Sequence, residues 1–170
     1  MDVRWLDEDE LTAWIRLVGV VELLPGVLDT QLRRDAGLTH FEYYVLAMLS
    51  ESPQRTLRMT ALAARTNATL PRLSHVVRRL EDRGLVARSA CAEDARATNA
   101  QLTDAGWRKL EATAPGHVAT VREHVIDALT PEQVGQLSEI AGALLQRLDP
   151  DGRLRAPTGT AAAADRPVRR

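Results

Sequence analysis

A cluster of arginines in the middle of the chain is the first feature that could do chemistry. Residues 55–96 hold nine arginines and four acidic residues, whereas residues 1–54 hold four arginines and ten acids. A genomic preference for arginine explains why the chain has a single lysine, but it does not explain why bases and acids separate. Guanidinium groups bind phosphates and guanine edges. The separation therefore predicts a polyanion as the partner of residues 55–96.

The central part of this cluster predicts an amphipathic helix over residues 70–83. Thr69 is the expected N-cap, Pro71 lies in the first turn, where a missing amide does no harm, and Gly84 ends the helix. Its aliphatic residues fall within about a third of the circumference of a helical wheel. The opposite face and its flanks carry polar side chains, namely Arg72, Ser74, His75, Arg78, Arg79 and Asp82. Such a helix fits the major groove of B-DNA, although periodicity alone is equally consistent with an ordinary solvated basic face.

A β-hairpin is predicted after this helix, with strands at residues 85–90 and 98–102 and a polar loop between them. The loop places Arg96 on a narrow projection that can enter the minor groove of DNA. Asp94 can form a bidentate pair with the Arg96 guanidinium and fix its direction. Without DNA, the same pair is an exposed ion pair worth ~0–1 kcal/mol. The projecting arginine favours DNA as the partner of the basic helix.

Helical signals surround this basic region. Apolar residues recur every three or four positions over residues 11–32, interrupted at Pro25, where we expect a kink or a short break. Capping boxes open helices after Thr39 and Thr130, and Thr103 caps a further helix that we expect to break or bend at Pro115. The order helix, turn, helix, hairpin is that of a winged helix-turn-helix. We predict a mainly α fold with a small β-hairpin wing.

Three linked motifs resemble the MarR family of transcriptional regulators. Residues 80–88 read Leu-Glu-Asp-Arg-Gly-Leu-Val-Ala-Arg, residues 93–96 read Glu-Asp-Ala-Arg, and residues 102–106 read Leu-Thr-Asp-Ala-Gly. The family pattern is a recognition helix ending Leu-x-x-x-Gly-Leu-Val-x-Arg, a wing with Asp-x-Arg, and Leu-Thr-x-x-Gly opening the next helix. The motifs stand in the family order and spacing, and the resemblance covers roughly residues 8–148.

The resemblance implies a homodimer in which the first and last helices intertwine. It divides the chain into an N-terminal helix of the dimerisation region (1–36), a winged helix-turn-helix DNA-binding domain (37–102), C-terminal dimerisation helices (103–149) and a tail (150–170) that we expect to be disordered. The aliphatic stripes of the flanking helices exceed what a lone winged helix of ~90 residues can bury. A twofold dimer would set two recognition helices ~34 Å apart, in consecutive major grooves of a pseudo-palindrome.

DNA-reading roles follow from the same resemblance. It implies that residues 72–78 read base edges, that Arg79 lies near phosphates and that Arg96 acts on the wing. Two positions depart from the family pattern, because the counterpart of His75 is frequently a longer basic residue and Pro71 removes an amide that could bind phosphate. The complete predicted DNA-binding set is Thr69, Arg72, Ser74, His75, Arg78, Arg79, Arg88, Asp94 and Arg96.

The resemblance also implies a small aromatic or phenolic effector, bound where the dimer helices meet the DNA-binding lobe. The candidate contacts are polar-tipped or cationic residues near those junctions: Trp14, Arg16, His40, Tyr43 and His117. Each has a purely structural alternative, since Trp14 belongs to an apolar stripe and His40 to a capped first turn. Some relatives sense oxidants through a cysteine early in the first helix. Here Cys91 lies at the wing, where an exposed thiol could be modified but would not form that switch.

Several other classes of protein are disfavoured by the composition. The four histidines are dispersed, and His117 and His124 lack a nearby acid and nucleophile, so we predict no enzyme, no cofactor and no metal site. A single cysteine excludes an internal disulfide framework, and six aromatic residues argue against single-stranded nucleic acid binding by base stacking. No uninterrupted apolar run of membrane-spanning length and no secretory signal is visible, so we expect a cytoplasmic protein.

The sequence therefore predicts a dimeric repressor on a pseudo-palindromic operator, with or without release by a small phenolic ligand. The alternative is a winged-helix adaptor whose basic face binds an acidic protein without touching DNA, since the fold does not itself prove DNA binding. Salt-dependent gel shifts on the DNA upstream of the chain's own gene would separate these two functions.

Overall fold

A computed structural model describes residues 3–91 and 94–154, apart from the side chain of Ala95. The expected disorder of the tail falls mostly outside the described residues. Six α-helices and three β-strands follow one another in these residues: α1 (Glu8–Ala36), α2 (His40–Ser50), β1 (Thr56–Arg58), α3 (Met59–Arg65), α4 (Leu70–Asp82), β2 (Val86–Cys91), β3 (Asp94–Leu102), α5 (Asp104–Val121) and α6 (Pro131–Leu148). A 3₁₀ turn (Pro53–Arg55) precedes β1, and a π-helical turn (Arg122–Ile126) follows α5. The mainly α architecture with a small wing is confirmed.

Side-chain caps decide where the helices begin. Thr39 and Thr130 accept hydrogen bonds from the amides three residues on, and Glu42 and Gln133 complete the two predicted capping boxes. Asp7 forms a third box at the start of α1, which the sequence analysis did not identify. These local bonds satisfy amides that have no partner inside the helix.

The two prolines interrupt their helices less than expected. α1 continues through Pro25, and α5 continues through Pro115, so neither helix is broken at its proline, and the alternative of a kink or bend stays a prediction. A proline removes one helical hydrogen bond. In α1 the acceptor left free is the carbonyl of Val21, which belongs to an exposed residue and can be solvated. Regular α-helix ends instead at the π-helical turn after Val121.

The sheet is antiparallel, with the order β1-β3-β2. β3 starts at Asp94, four residues earlier than expected, so the predicted polar loop is mostly strand. Where a two-stranded ribbon is solvated on both faces, its residues need not alternate between apolar and polar. The polar sequence of this segment therefore gave no signal that predicts a strand. Cys91 is 8% exposed, so the expectation of an exposed thiol is wrong.

The core lies within the winged helix unit. The fully buried side chains of α2, α3 and α4 meet there, among them Val45, Leu46, Leu49, Leu62, Leu73, Val77 and Leu80. The C-terminal end of α1 joins this core through Ala36, and α1 also packs on α5. This packing holds α4 by one face and leaves the other face accessible.

The N-terminal half of α1 and all of α6 are poorly covered. α6 has no buried residue, and both helices expose large apolar side chains, including Leu11, Trp14, Ile15, Val20, Leu23, Leu137, Ile140, Leu144 and Leu148. α1 contains an 18-residue window of mean hydropathy 1.7, of which 6% is buried, and is long and apolar enough to cross a membrane by length and composition alone. Helices that pack against another chain have the same composition.

Candidate nucleic-acid interface

Helix α4 is anchored by its aliphatic face and capped at its start. Leu73, Val77 and Leu80 are fully buried, as the helical wheel predicts. Thr69 accepts a hydrogen bond from the Arg72 amide at 3.4 Å, which assigns this predicted DNA contact a capping role as well. The anchoring leaves a solvent-facing side whose orientation relative to the wing is set by the core.

The solvent-facing side of α4 presents the predicted reading residues. His75 and Arg78 are exposed, and Ser74 is half-buried. Within residues 3–91 and 94–154, Arg78 forms no hydrogen bond or close ion pair and interacts with Glu81 only at longer range, so its guanidinium is available to a ligand. The Arg72 guanidinium lies over the Phe41 ring, 4.4 Å from its centroid, and this cation–π contact sets its direction.

Two other predicted DNA contacts are held by carboxylates. Arg88 donates from Nε to Glu81 at 2.8 Å, and this hydrogen bond lowers the pKa of the Glu81 carboxyl. Arg79 lies 3.0 Å from a carboxylate oxygen of Glu42. Both guanidiniums are therefore partly neutralised by carboxylates of the protein itself, and the sequence motifs did not reveal these two contacts.

At the wing, Asp94 acts on the backbone of Arg96. Its Oδ1 accepts a hydrogen bond from the Arg96 amide at 3.0 Å, and the bidentate pair expected with the Arg96 guanidinium is not formed. A short aspartate side chain reaches an amide two residues on more easily than the end of a long arginine. Asp94 therefore shapes the chain at the wing, and Arg96 is exposed.

A cleft of about 190 Å³ lies between α4 and the wing. It is lined by Ser74 from α4, by Arg88 and Arg96 from the wing, and by Arg58 and Thr60 beside the start of α3. Three arginines line this open cleft, one of them (Arg88) paired with Glu81, and no described lining residue is acidic, so the cleft is suited to an anion such as a DNA phosphate. Arg58 is not among the DNA contacts predicted from the sequence, although it belongs to the charge cluster at residues 55–96.

Three of the five candidate effector contacts lie together where α1, α2 and α5 meet. The His117 ring lies 4.5 Å from the Tyr43 ring and 6.4 Å from the His40 ring, between centroids. Burial lowers the pKa of both histidines and raises the pKa of Tyr43. His117 Nδ1 is buried and has no hydrogen-bond partner among the described residues.

The other two candidates are not part of this cluster. Trp14 and Arg16 are exposed on the N-terminal half of α1, and no contact among the described residues of one chain joins them to His117.

The Nδ1 atom of His124 lies 3.0 Å from the Thr120 carbonyl oxygen. In the part of the chain that the structure describes, no group of three or more His, Cys, Asp or Glu side chains could hold a metal ion.

A capped helix with an exposed cationic face, packed beside an antiparallel wing, defines a winged helix-turn-helix protein. A sequence model described as MarR family matches residues 36–97. The crystal structure of Sco3205, a MarR family transcriptional regulator from Streptomyces coelicolor in complex with DNA, is similar over 88% of this chain and 93% of that chain, with 47% identity and a TM-score of 0.83. AbsC, another MarR family regulator from that organism, is 38% identical over 86% of this chain and 98% of that chain, with a TM-score of 0.80.

Curated relatives agree with this assignment. YetL, an HTH-type transcriptional repressor of Bacillus subtilis, is 29% identical over 84% of each chain. Rv2887, an HTH-type transcriptional repressor of Mycobacterium tuberculosis, is 38% identical over 57% of this chain and 68% of its own length. The chain belongs to the MarR family of transcriptional regulators. The family resemblance of the three motifs is thereby confirmed, and the family is one of regulators rather than enzymes.

Proposed function

We propose that the chain is a cytoplasmic repressor that binds a pseudo-palindromic operator as a homodimer. The observation that carries this proposal is the exposed guanidinium side of α4, anchored opposite by three buried aliphatic residues. The neighbour Sco3205, crystallised with DNA, supports a duplex as the ligand of that side. An adaptor that binds an acidic protein would need the same charge, so DNA affinity must be measured directly.

The predicted DNA-binding residues have different proposed roles, which follow from their exposure and from their position on α4 or on the wing. Arg78 and His75 are exposed on α4 and reach base edges in the major groove, and Arg78 is suited to guanine. Arg96 extends from the wing towards the adjacent groove, and the cleft with Arg58 takes a backbone phosphate. Residues 37–102 therefore supply the DNA-binding domain of the proposed repressor.

The dimer is proposed from the uncovered apolar faces. Residues 1–36 and 103–149 contain the helices whose large apolar side chains face solvent in a single chain, including Ile15 on α1 and Ile140 on α6. Contiguous apolar surface of this kind marks an interface. A twofold pair would place two α4 helices ~34 Å apart, which is the spacing of consecutive major grooves on one face of DNA.

Substitution of two arginines tests the DNA-binding proposal. We expect Arg78→Ala to cost ~1–3 kcal/mol of operator affinity and to relax preference at one base pair, because a bidentate contact is lost. Arg96→Ala should weaken binding to every sequence alike. Fluorescence anisotropy on duplexes from upstream of the chain's own gene, at several salt concentrations, measures both effects.

The matched control for these variants is Arg108→Ala, which removes the same charge from an exposed position on α5. It should bind like the wild type. The proposed docking is wrong if Arg78→Ala and Arg96→Ala also bind like the wild type. A wild-type protein without salt-dependent affinity for DNA would favour the adaptor function instead.

We also propose that a small aromatic or phenolic acid binds beside His117 and releases the protein from DNA. The support is the buried, unpartnered Nδ1 of His117 next to the Tyr43 and His40 rings, because a ligand hydroxyl or carboxyl can satisfy it. Calorimetric titration with salicylate should show heat and a loss of DNA affinity, and His117→Gln should reduce both. The absence of heat together with unchanged DNA affinity in the wild type would contradict this model.

A further inference from the structure

One buried carboxylate joins the first turn of α2 to the recognition helix. The Glu42 side chain is 1% exposed, and its Oε2 accepts a hydrogen bond from the Thr39 amide at 2.7 Å. Its Oε1 lies 3.0 Å from Nη2 of Arg79, and its Oε2 lies 3.9 Å from Nη1 of Arg83. The contact with Arg79 is an ion pair without the alignment of a hydrogen bond. The capping box on α2 is therefore also an anchor for the C-terminal end of α4.

The energetics of burial explain why both arginines point inwards. A carboxylate removed from water is costly unless cations and hydrogen bonds compensate it. Arg79 on α4 and Arg83, the C-cap residue that follows α4, lie about one turn apart, and together they surround Glu42 while remaining 51% and 37% exposed. A guanidinium that already neutralises a carboxylate adds little to the release of counterions from DNA, because its charge is balanced before binding.

We propose that Glu42 is a positioning residue for DNA recognition, which sets α4 against α2 and withholds Arg79 and Arg83 from the phosphate backbone. This inference rests on the proposed DNA-binding function. It revises the role that the family resemblance implies for Arg79, namely a position near phosphates. Glu42 restrains two cations at the C-terminal end of α4. Discrimination between DNA sequences therefore depends on exposed residues closer to the N-terminus of this helix, including His75 and Arg78.

The variant Glu42→Gln separates the effect of the carboxylate charge from the effect of the helix cap. The glutamine keeps an oxygen that can accept from the Thr39 amide, but it loses the charge that holds Arg79 and Arg83. On a duplex of shuffled sequence we expect tighter binding and a plot of log affinity against log salt that is steeper by about 1–2, because the released arginines reach phosphates. A second duplex is the best one that the wild type selects from a random pool. The affinity for this selected duplex divided by the affinity for the shuffled duplex should fall at least tenfold. Glu111→Gln, an exposed change of equal charge on α5, should alter neither quantity.

A second variant keeps the test decisive if Glu42→Gln fails to fold. Arg79→Gln should leave the salt slope on the shuffled duplex as in the wild type and lower the selected-to-shuffled ratio, because Arg79 positions α4 and does not bind phosphate. A slope reduced by about 0.9 would identify Arg79 as a phosphate contact and overturn the inference. An unchanged slope and ratio in a folded Glu42→Gln variant would overturn it as well. A wild type without affinity for either duplex would instead refute the proposed function, and the inference with it.

Discussion

Replacement of Gly106 by alanine is expected to destabilise the folded chain by about 3 kcal/mol, the upper end of what overpacking usually costs. A Cβ at this position would overlap the Leu85 carbonyl oxygen and come within 2.6 Å of Leu102 Cδ1. The carbonyl cannot move freely, since it accepts the Thr103 amide at 3.1 Å. The glycine of the Leu-Thr-x-x-Gly motif therefore allows the start of α5 to lie directly on the backbone between α4 and β2.

Thr103 in the same motif has two bonds at this junction. Its hydroxyl donates to the Gly84 carbonyl at 2.7 Å and accepts from the Gly106 amide at 3.0 Å. The motif thus connects the segment between α4 and β2 to α5, the first helix of the proposed dimerisation region. Displacement of α5 by the added methyl group should lower DNA affinity together with stability.

Thermal unfolding followed by circular dichroism, at fixed protein concentration, measures the effect of Gly106→Ala. A loss of about 3 kcal/mol corresponds to a fall in Tm of roughly 6–12 °C for a chain of this size. Gly135→Ala on α6 is the control, because no atom lies within 4 Å of its added Cβ and alanine favours the helix. Equal Tm values for wild type and Gly106→Ala would show that α5 does not rest on Leu85 as described.

Ile140→Glu is expected to convert the proposed dimer into monomers and to reduce operator affinity by about two orders of magnitude or more. Ile140 is 59% exposed in a single chain, so glutamate there should not disturb the fold of the protomer. In a dimer it would bury an unpaired carboxylate among apolar side chains. The loss of operator affinity follows because two linked half-site contacts bind ~10²–10⁴-fold more tightly than one.

Sedimentation equilibrium at micromolar concentration decides this prediction. Ser138→Glu adds the same charge about 160° away around α6, on the side opposite Ile140, and should remain dimeric. A monomeric wild type would exclude the proposed dimer. A dimeric Ile140→Glu variant with normal operator affinity would show that the α6 stripe is not the interface.

The parts of the fold with local signals were predictable from the sequence. Thr39 and Thr130 start helices through bonds to residues three positions away, and the face of α4 that carries Leu73 and Val77 follows from helical spacing. The three MarR motifs are similarly local, and they indicated the wing and the helix after it. Composition and spacing thus predict the exposed position of Arg78 without reference to any tertiary contact.

What the sequence did not reveal depends on contacts between distant segments. Glu42 has the sequence signature of a capping residue, and only the packing of α2 against α4 shows that it also meets Arg79. Arg58 enters the cleft because β1 pairs with β3, which brings it beside the wing. The family resemblance placed His40 and His117 at one candidate effector site, but they are 77 positions apart in the chain, and no spacing rule predicts the 6.4 Å between their ring centroids.

The most direct test of the central claim, that the exposed side of α4 docks in the major groove, is cleavage of DNA by an iron chelate tethered to that helix. The His75→Cys/Cys91→Ser protein carries the chelate at an exposed position of α4, and Glu111→Cys/Cys91→Ser carries it on α5 as the control. Docking of α4 in the major groove predicts two clusters of cuts about 10 base pairs apart for the label at position 75 and background cleavage for the label at 111. Tight DNA binding without cuts from position 75 would contradict it.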